Sequence, residues 1–574
     1  MKLTASYIIT AFGLFGSTAG ATQLLTVPDG RDGLRLGTSA AIHSDVAVLG
    51  AYKGGWSNQP FAPGLVAVFR KNAQGVWSYS ESIEPFDGES QDWFGWKVAL
   101  TERWLAVICL NDDLPSQNGR GSVYVYEDLG DHFSFHSRLV PPPGGNQTNF
   151  NADSVALDGD RLVVGSGSYH LIDAQYIGPN SGAIHVYDFD GAVWQHSDSA
   201  TDGRLGFPGG IGQAVQIHGD VIVAGNHGYR INGHETGLVV IFERSPSGLW
   251  EVIDRLDSPY PDENAQFSRG MSLDGDQLAV VANYGSAGYG SVRIYNRTPS
   301  RKWRLRAAAY PDVWVANMGR FVDLRGQRLL VGGDGLAPAI PSVHSGGVMH
   351  FTHCGGYWGL DGRLQIPSYF QGGNFEQSFA FDDDQMLVAY PELSTGGFSS
   401  VGGAYVVRLP DKNPITCDEL GTPIALPSAA APCPCGNDPV DPLEGCVNST
   451  GRGARVWARG QLSIYSVACQ FHMEGLPPNT LGLVANMRQL PDEAALPAVS
   501  GDGLLLRHPF VAPSFIHVFR ANAQGEADWI PPAMEPIGIF PGTRGTFQVL
   551  YRDPGGPCGT GMNWAAGFVG QFVP

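Results

Sequence analysis

Short apolar runs separated by polar, glycine-rich turns follow one another along this chain in a fixed order. One run reads VAVLGA from Val46, LAVICL from Leu105, LVVGSG from Leu162, VIVAGN from Val221, LAVVAN from Leu278, LLVGGD from Leu329 and MLVAYP from Met386. Successive copies start 51 to 59 residues apart. A further run follows each copy, such as LVAVF from Leu65, SVYVY from Ser122 and LVVIF from Leu238. Ahead of each copy lies another apolar stretch, joined to it by a tight polar turn such as LDGD at Leu157 and Leu273. Asp-Gly turns of this kind close hairpins. A last run opens on an aromatic residue at Trp77, Phe133, Trp194, Trp250, Trp303 and Trp358. No long stretch has helical periodicity.

Seven units of four short strands are therefore expected. Their middle strands are almost wholly apolar, as strands buried on both faces must be. Radial repetition of such sheets gives an all-β fold, a seven-bladed β-propeller over residues 22–409. The seventh unit ends at GAYVVRLP without its fourth run, and TQLLTVP stands spare ahead of the first unit. That N-terminal segment is expected to complete the last blade. Strand alternation puts the short turns on one side and the long connections on the other. The long ones include YKGGWSNQPFAPG, SYHLIDAQYIGPNSG and NHGYRINGHETG. Elaborated loops on a rigid scaffold are where binding residues gather. The aromatic and histidine residues there are Tyr52, Trp56, Tyr169, His170, Tyr176, His227, Tyr229, His234, Tyr284 and Tyr289. Exposed, such rings recognise sugars or proteins; the alternative is that they pack the loops down.

Composition narrows this picture. A chain of 574 residues exceeds one core. Its net charge of -19 argues against nucleic acid as a partner. Residues 1–21 read as a secretory signal peptide, with Lys2, an apolar region from Ser6 to Phe15 and a small-residue cleavage site at Ala19-Gly20-Ala21. No later run is long enough to span a membrane, so the mature protein is expected to be secreted or held at the cell surface. Of the eight cysteines, Cys417, Cys433, Cys435, Cys446, Cys469 and Cys558 cluster near the C-terminus and read as three disulfides of open connectivity. A metal site at Cys433-x-Cys435 is the lesser alternative, because no second pair has zinc spacing. Cys109 and Cys354 read as buried thiols. Residues 410–434 are proline-rich, as a linker would be, and 435–574 alternate as a disulfide-stapled β-sandwich would.

The order FG…VAL…LVVGA…G-VYVY…W resembles the FG-GAP repeat family, the type found in integrin α-subunit propellers and in exported bacterial proteins. Phe94-Gly95 carries the motif directly, and the resemblance runs over about residues 22 to 410. It implies a propeller and leaves the activity open. Family members often bind Ca²⁺ through D-x-[DN]-x-[DN]-G loops. That motif is absent, and NDDLPSQNG at Asn111 and DFDG at Asp188 are fragments of it, so no cofactor is expected. The CPCGN opening and YRDPGGPCGTG ending of the last segment look like a C-terminal module of exported planctomycete-type bacterial proteins.

The sequence holds no phosphate-binding loop, no H-E-x-x-H and no G-x-S-x-G. Two readings follow. In the first, an exported non-enzymatic protein presents the long-loop face to an extracellular protein or glycan. In the second, a carbohydrate-active hydrolase or lyase uses acids such as Asp112, Asp113, Asp173 and Glu235 at the channel mouth, where a working pair must stand about 5 to 10 Å apart.

Overall fold

A computed structural model describes residues 23–28, 33–52, 62–113, 121–142, 152–167, 182–202, 210–258, 265–284, 289–309, 321–333, 347–354, 357–365, 378–382, 384–394, 400–409, 422–423, 433–439, 444–460, 469–489, 496–500, 503–507, 514–529, 544–565 and 568–571. Among these there is no α-helix. The chain divides into two compact units, the second consisting of residues 307–312, 352–360 and 414–574.

Seven four-stranded antiparallel sheets account for the described strands up to Arg408 other than a two-stranded pair at Arg230–Ile231 and His234–Glu235. Sheet 1 comprises Ser39–His43, Val46–Ala51, Leu65–Lys71 and Trp77–Ile83. Sheets 2, 3 and 4 begin at Phe94–Leu100, Ser154–Asp158 and Ala214–His218. Sheets 5, 6 and 7 begin at Met271–Asp274, Val322–Arg325 and Ser378–Asp382. The recurring run noted above is the second strand of each sheet. Trp77, Phe133, Trp194, Trp250 and Trp303 each open a fourth strand. In sheet 7 the fourth position is taken by Gln23–Leu25, with Gln23 opposite Val406 and Leu25 opposite Ala404.

Core packing lies between sheets, not within them. Leu25, Leu387 and Val406 of sheet 7 share a cluster with Ala47, Leu49 and Phe69 of sheet 1. Clusters of the same kind join sheets 1 and 2, 2 and 3, 3 and 4, 4 and 5, and 6 and 7. First strands of sheets 1 to 6 touch in succession, and that of sheet 7 touches that of sheet 1. Sheets 6 and 7 are also tied by the Phe381 N–H, which donates to the Asp323 carboxylate at 3.2 Å.

Repeated hydrogen bonds reinforce these contacts. Sheets 1 to 4 each carry a bulge between the third and fourth strands, at Val68/Phe69, Val125/Tyr126, Val186/Tyr187 and Ile241/Phe242. A bulge re-aims the side chains beside it. In three of these sheets the residue just past it is an acid that accepts from the aromatic residue opening the next sheet's fourth strand. Glu81 takes the Phe133 N–H at 2.8 Å, Asp198 that of Trp250 at 2.7 Å, and Asp254 that of Trp303 at 2.8 Å. Gln23 does the same between sheets 7 and 1, accepting the Trp77 N–H at 2.9 Å.

The Phe-Gly motif has a similar explanation. Phe94 forms a parallel bridge with Gly64, the residue before the third strand of sheet 1, and Leu36 forms the equivalent bridge with Gly402. A Cβ on Gly64 would lie 2.1 Å from the Phe94 carbonyl oxygen, and one on Gly402 would lie 2.2 Å from the Leu36 nitrogen. Both glycines have positive φ, so no other residue fits there without strain.

In the second unit a six-stranded sheet includes Leu481–Gln489, Ser514–Arg520 and Arg544–Asp553. A three-stranded sheet comprises Arg455–Gly460, Cys469–Glu474 and Ala527–Trp529. Their inward faces share one core, in which Val456, Phe471 and Met473 meet Val484, Phe547 and Tyr551. Disulfides join Cys433 to Cys446 and Cys435 to Cys558. This occupies both thiols of Cys-x-Cys and leaves none there for a metal. Cys417 lies outside the described residues, as do the side chains of Cys469 and Cys354. Cys109 is a buried free thiol. Residues 1–22 and most of 410–432, where the leader and the linker are expected, also lie outside them.

Candidate functional site

In the first unit a half-open cavity of about 320 Å³ is lined by residues of all seven first strands and the turns that lead into them. Its layers follow from strand register. One apolar residue per sheet stands at equivalent positions: Ala40, Val98, Val155, Val215, Met271, Val322 and Phe379. Polar groups flank this girdle on both sides. At the end where the long connections emerge are Lys97, Asp153, Gln213 and Arg269. Toward the short-turn end are Gln216, Ser272, Asp323 and Arg325.

Both lining carboxylates are half-buried, and desolvation shifts both. Asp153 accepts the Gly167 N–H at 2.8 Å, yet desolvation pushes its pKa up to about 6. Asp323 is also pushed up to about 6 by burial, against the opposing effects of Arg325 at 3.8 Å and its bonds from Phe381 and Ser272. Arg325 is further paired with Asp382 at 3.3 Å. Lys97 reaches from sheet 2 to within 5.7 Å of the Phe321 ring centre beside sheet 6. A lysine crossing from one sheet to another in this way places its charge near the middle of the cycle.

Some of the expected binding residues gather at the long-loop end. The His227 N–H donates to Gln213 Oε1 at 3.0 Å. Burial and the neighbouring Arg269 guanidinium hold His227 below its usual range, with Glu235 opposing. Arg269 Nη1 donates to Gln266 Oε1 at 2.6 Å, and the Gln266 N–H donates to the Glu235 carbonyl at 3.1 Å. His234 and Glu235 form a two-residue strand opposite Arg230–Ile231, and Arg230 pairs with the Glu235 carboxylate at 2.5 Å. Tyr229 is only 9% exposed and packs in the core with Ile211, Val215 and Leu238, so its ring holds the loop down. Tyr52 is half-buried, edge-on to Trp93 at 5.5 Å and Trp96 at 4.9 Å, and these two tryptophans stack at 5.7 Å. Trp93 has φ of +58°, a costly backbone state for a bulky residue. Trp56, Tyr169, His170 and Tyr176 lie outside the described residues, as do the side chains of Tyr284 and Tyr289.

Sequence reasoning missed Trp93, Trp96, Asp153, Arg269 and Asp323. Asp323 left a signal, a lone acid inside the apolar strand FVDL. Those of the acids weighed for hydrolysis that are described are placed elsewhere. Asp112 is buried and held by Ser122 and by Arg138, whose Nε donates at 2.8 Å. The Asp113 carbonyl also accepts from Arg138, at 3.0 Å. Asp173 lies outside the described residues, and Glu235 is paired with Arg230. Neither Asp112 nor Glu235 lines the cavity.

Among the described residues, Asp92, Cys109 and Asp112 form the one group of acid and thiol donors close enough to share a metal ion. Arg138 already neutralises Asp112. Burial pushes the Cys109 thiol up, which favours its protonated form.

Two comparisons bear on this architecture. Residues 77–126 match the family model described as FG-GAP repeat. That window runs from the last strand of sheet 1 into the third strand of sheet 2 and contains the Phe94-Gly95 motif, whose Phe94 bridges to Gly64 of sheet 1. This stretch of the chain is an FG-GAP repeat. No curated protein matches the chain. Among the described residues, no helix is long and apolar enough to cross a membrane.

Proposed function

We propose that the first unit is a seven-bladed β-propeller and that the protein is a secreted, non-enzymatic interaction module. Its long-loop side receives an extracellular protein or glycan. The observation that carries this reading is the grouping on that side of the cavity mouth, the Gln213–His227 and Arg269–Gln266 pairs, and the Tyr52–Trp93–Trp96 aromatic group. Half-buried aromatic rings beside fixed polar groups are the usual components of a recognition surface. The strained backbone of Trp93 suits a residue held in place for contact and not for packing alone. Support for closure comes from the cyclic contacts of the first strands and from Gln23–Leu25 standing in sheet 7. Disulfides and an FG-GAP repeat accord with an oxidising, extracellular setting. The second unit, by the same reading, is a β-sandwich.

The test is a glycan-array and cell-surface capture screen with the full chain, with and without EDTA. Tyr52→Ala and Trp93→Ala are expected to weaken any captured partner about tenfold. Binding unchanged in both variants removes this side of the molecule as the contact surface. Loss of binding on EDTA alone makes a cation part of the interface.

A further inference from the structure

We propose that the cavity lined by the seven first strands is a binding site for a small organic anion. Its carboxylate-type head is held by Arg269 and Lys97, and its apolar body sits against Val98, Val155 and Val215. This rests on the reading of the long-loop side as the binding side and adds a ligand class to it.

Size sets the first limit. About 320 Å³ lies at the lower end of the range for small-molecule sites and is far too little for a folded partner or a chain of sugars. Layering sets the second. A complete apolar girdle next to a polar layer suits a molecule with one hydrocarbon part and one charged part, since a wholly polar ligand leaves the girdle unmatched.

Charge sets the third. The chain carries 55 acidic and 36 basic residues, yet the lining reverses that balance. Lys97, Arg269 and Arg325 face Asp153 and Asp323 there. In an acidic protein a cationic cavity is where the field favours an anion, and low-dielectric walls focus that field.

The head is assigned to the long-loop end because two cations, Lys97 and Arg269, line it with one acid, Asp153, whereas Arg325 at the other end stands between two acids, Asp323 and Asp382. Arg269 is oriented by its bond to Gln266, so little of its freedom remains to be lost on binding. A guanidinium so fixed presents a planar fork that matches a carboxylate. Lys97 comes from sheet 2 on the far side, and its contact with Phe321 places it toward the sheet that follows the one carrying Arg269. His227, kept uncharged by burial and by Arg269, adds no positive charge of its own.

Isothermal titration of the full chain with hexanoate and benzoate tests the assignment, with hexanol and benzamide as neutral counterparts and inorganic phosphate as an anion without a body. Both carboxylates are expected to bind, each at least about tenfold tighter than its neutral counterpart. Arg269→Gln is expected to lose about tenfold or more in carboxylate affinity, with Lys97→Gln as the second variant should the first fail to fold. No binding of either carboxylate, equal binding of the neutral compounds, or wild-type affinity in Lys97→Gln overturns the proposal. Phosphate binding as tightly as hexanoate overturns the role of the girdle. The two readings fail separately. Partner capture retained in a chain that binds no carboxylate sinks this one alone, and carboxylate binding with partner capture unaffected by Tyr52→Ala and Trp93→Ala sinks the earlier one alone.

Discussion

The two units hold their sheets together by different means. In the first, every core cluster among the described residues belongs to two neighbouring sheets, and small devices recur at the same register: an acid past a bulge, an aromatic N–H, a glycine under a Phe or Leu. No disulfide occurs among its described residues, and Cys109 stays a free thiol although the cell compartment proposed would allow pairing. Among its described residues the second unit has one core shared by two sheets; one disulfide closes a loop within its entry segment and another ties that segment to the turn before its last strands. Repetition lets each sheet be constrained by two others of the same design. A unit with one small core lacks that redundancy, and disulfides supply the constraint instead.

Breaking each means of support in turn sharpens the contrast. Deleting Gln23–Val27 strips Leu25 and Val27 from the core and exposes the edge of sheet 7. The expected cost is about 4 kcal/mol or more, read as faster hydrogen exchange in sheets 7 and 1, with the second unit unchanged. Protection retained in both sheets would show that the seam contributes little.

Next in size is Cys558→Ser, which opens the 123-residue loop to Cys435. It is expected to cost about 2–5 kcal/mol in the second unit and nothing in the first, by the same exchange measurement. Equal loosening of both units would overturn the contrast.

The smallest effect is expected from Asp323→Asn. Burial raises the native pKa of Asp323 from 3.8 to about 6. Between those values the native state binds more protons than the unfolded one, so this carboxyl contributes stability at low pH that is lost as pH rises toward 6 and above. The Asn variant is expected to be more stable than the parent near pH 7, with the advantage gone near pH 4. Urea titrations at the two pH values measure this, and an advantage independent of pH would refute the assignment.

Much of the first unit could be read from the chain because its apolar runs repeat in order. Trp77, Trp194 and Trp250 open strands as their spacing predicts, and the spare segment at Gln23 takes its place in sheet 7. The site was less legible. Tyr229 sits in the same kind of loop as His227, but a loop sequence does not record whether a ring turns toward the core or the solvent, and Tyr229 turns inward. Asp153, Arg269 and Lys97 come together only because the cycle of first strands brings sheets 2, 3 and 5 to one cavity. Nothing local in neighbouring residues such as Lys97-Val98 or Ser268-Arg269 encodes that proximity.

The placement of Gln23–Leu25 has a consequence for biosynthesis. The earliest-made strand of the first unit must wait for Ala404–Val406, which the ribosome delivers on the order of twenty seconds or more later. Throughout that interval its backbone groups have no native neighbour. A segment of three residues offers little template for mispairing, so its brevity suits a strand that is first to appear and last to dock.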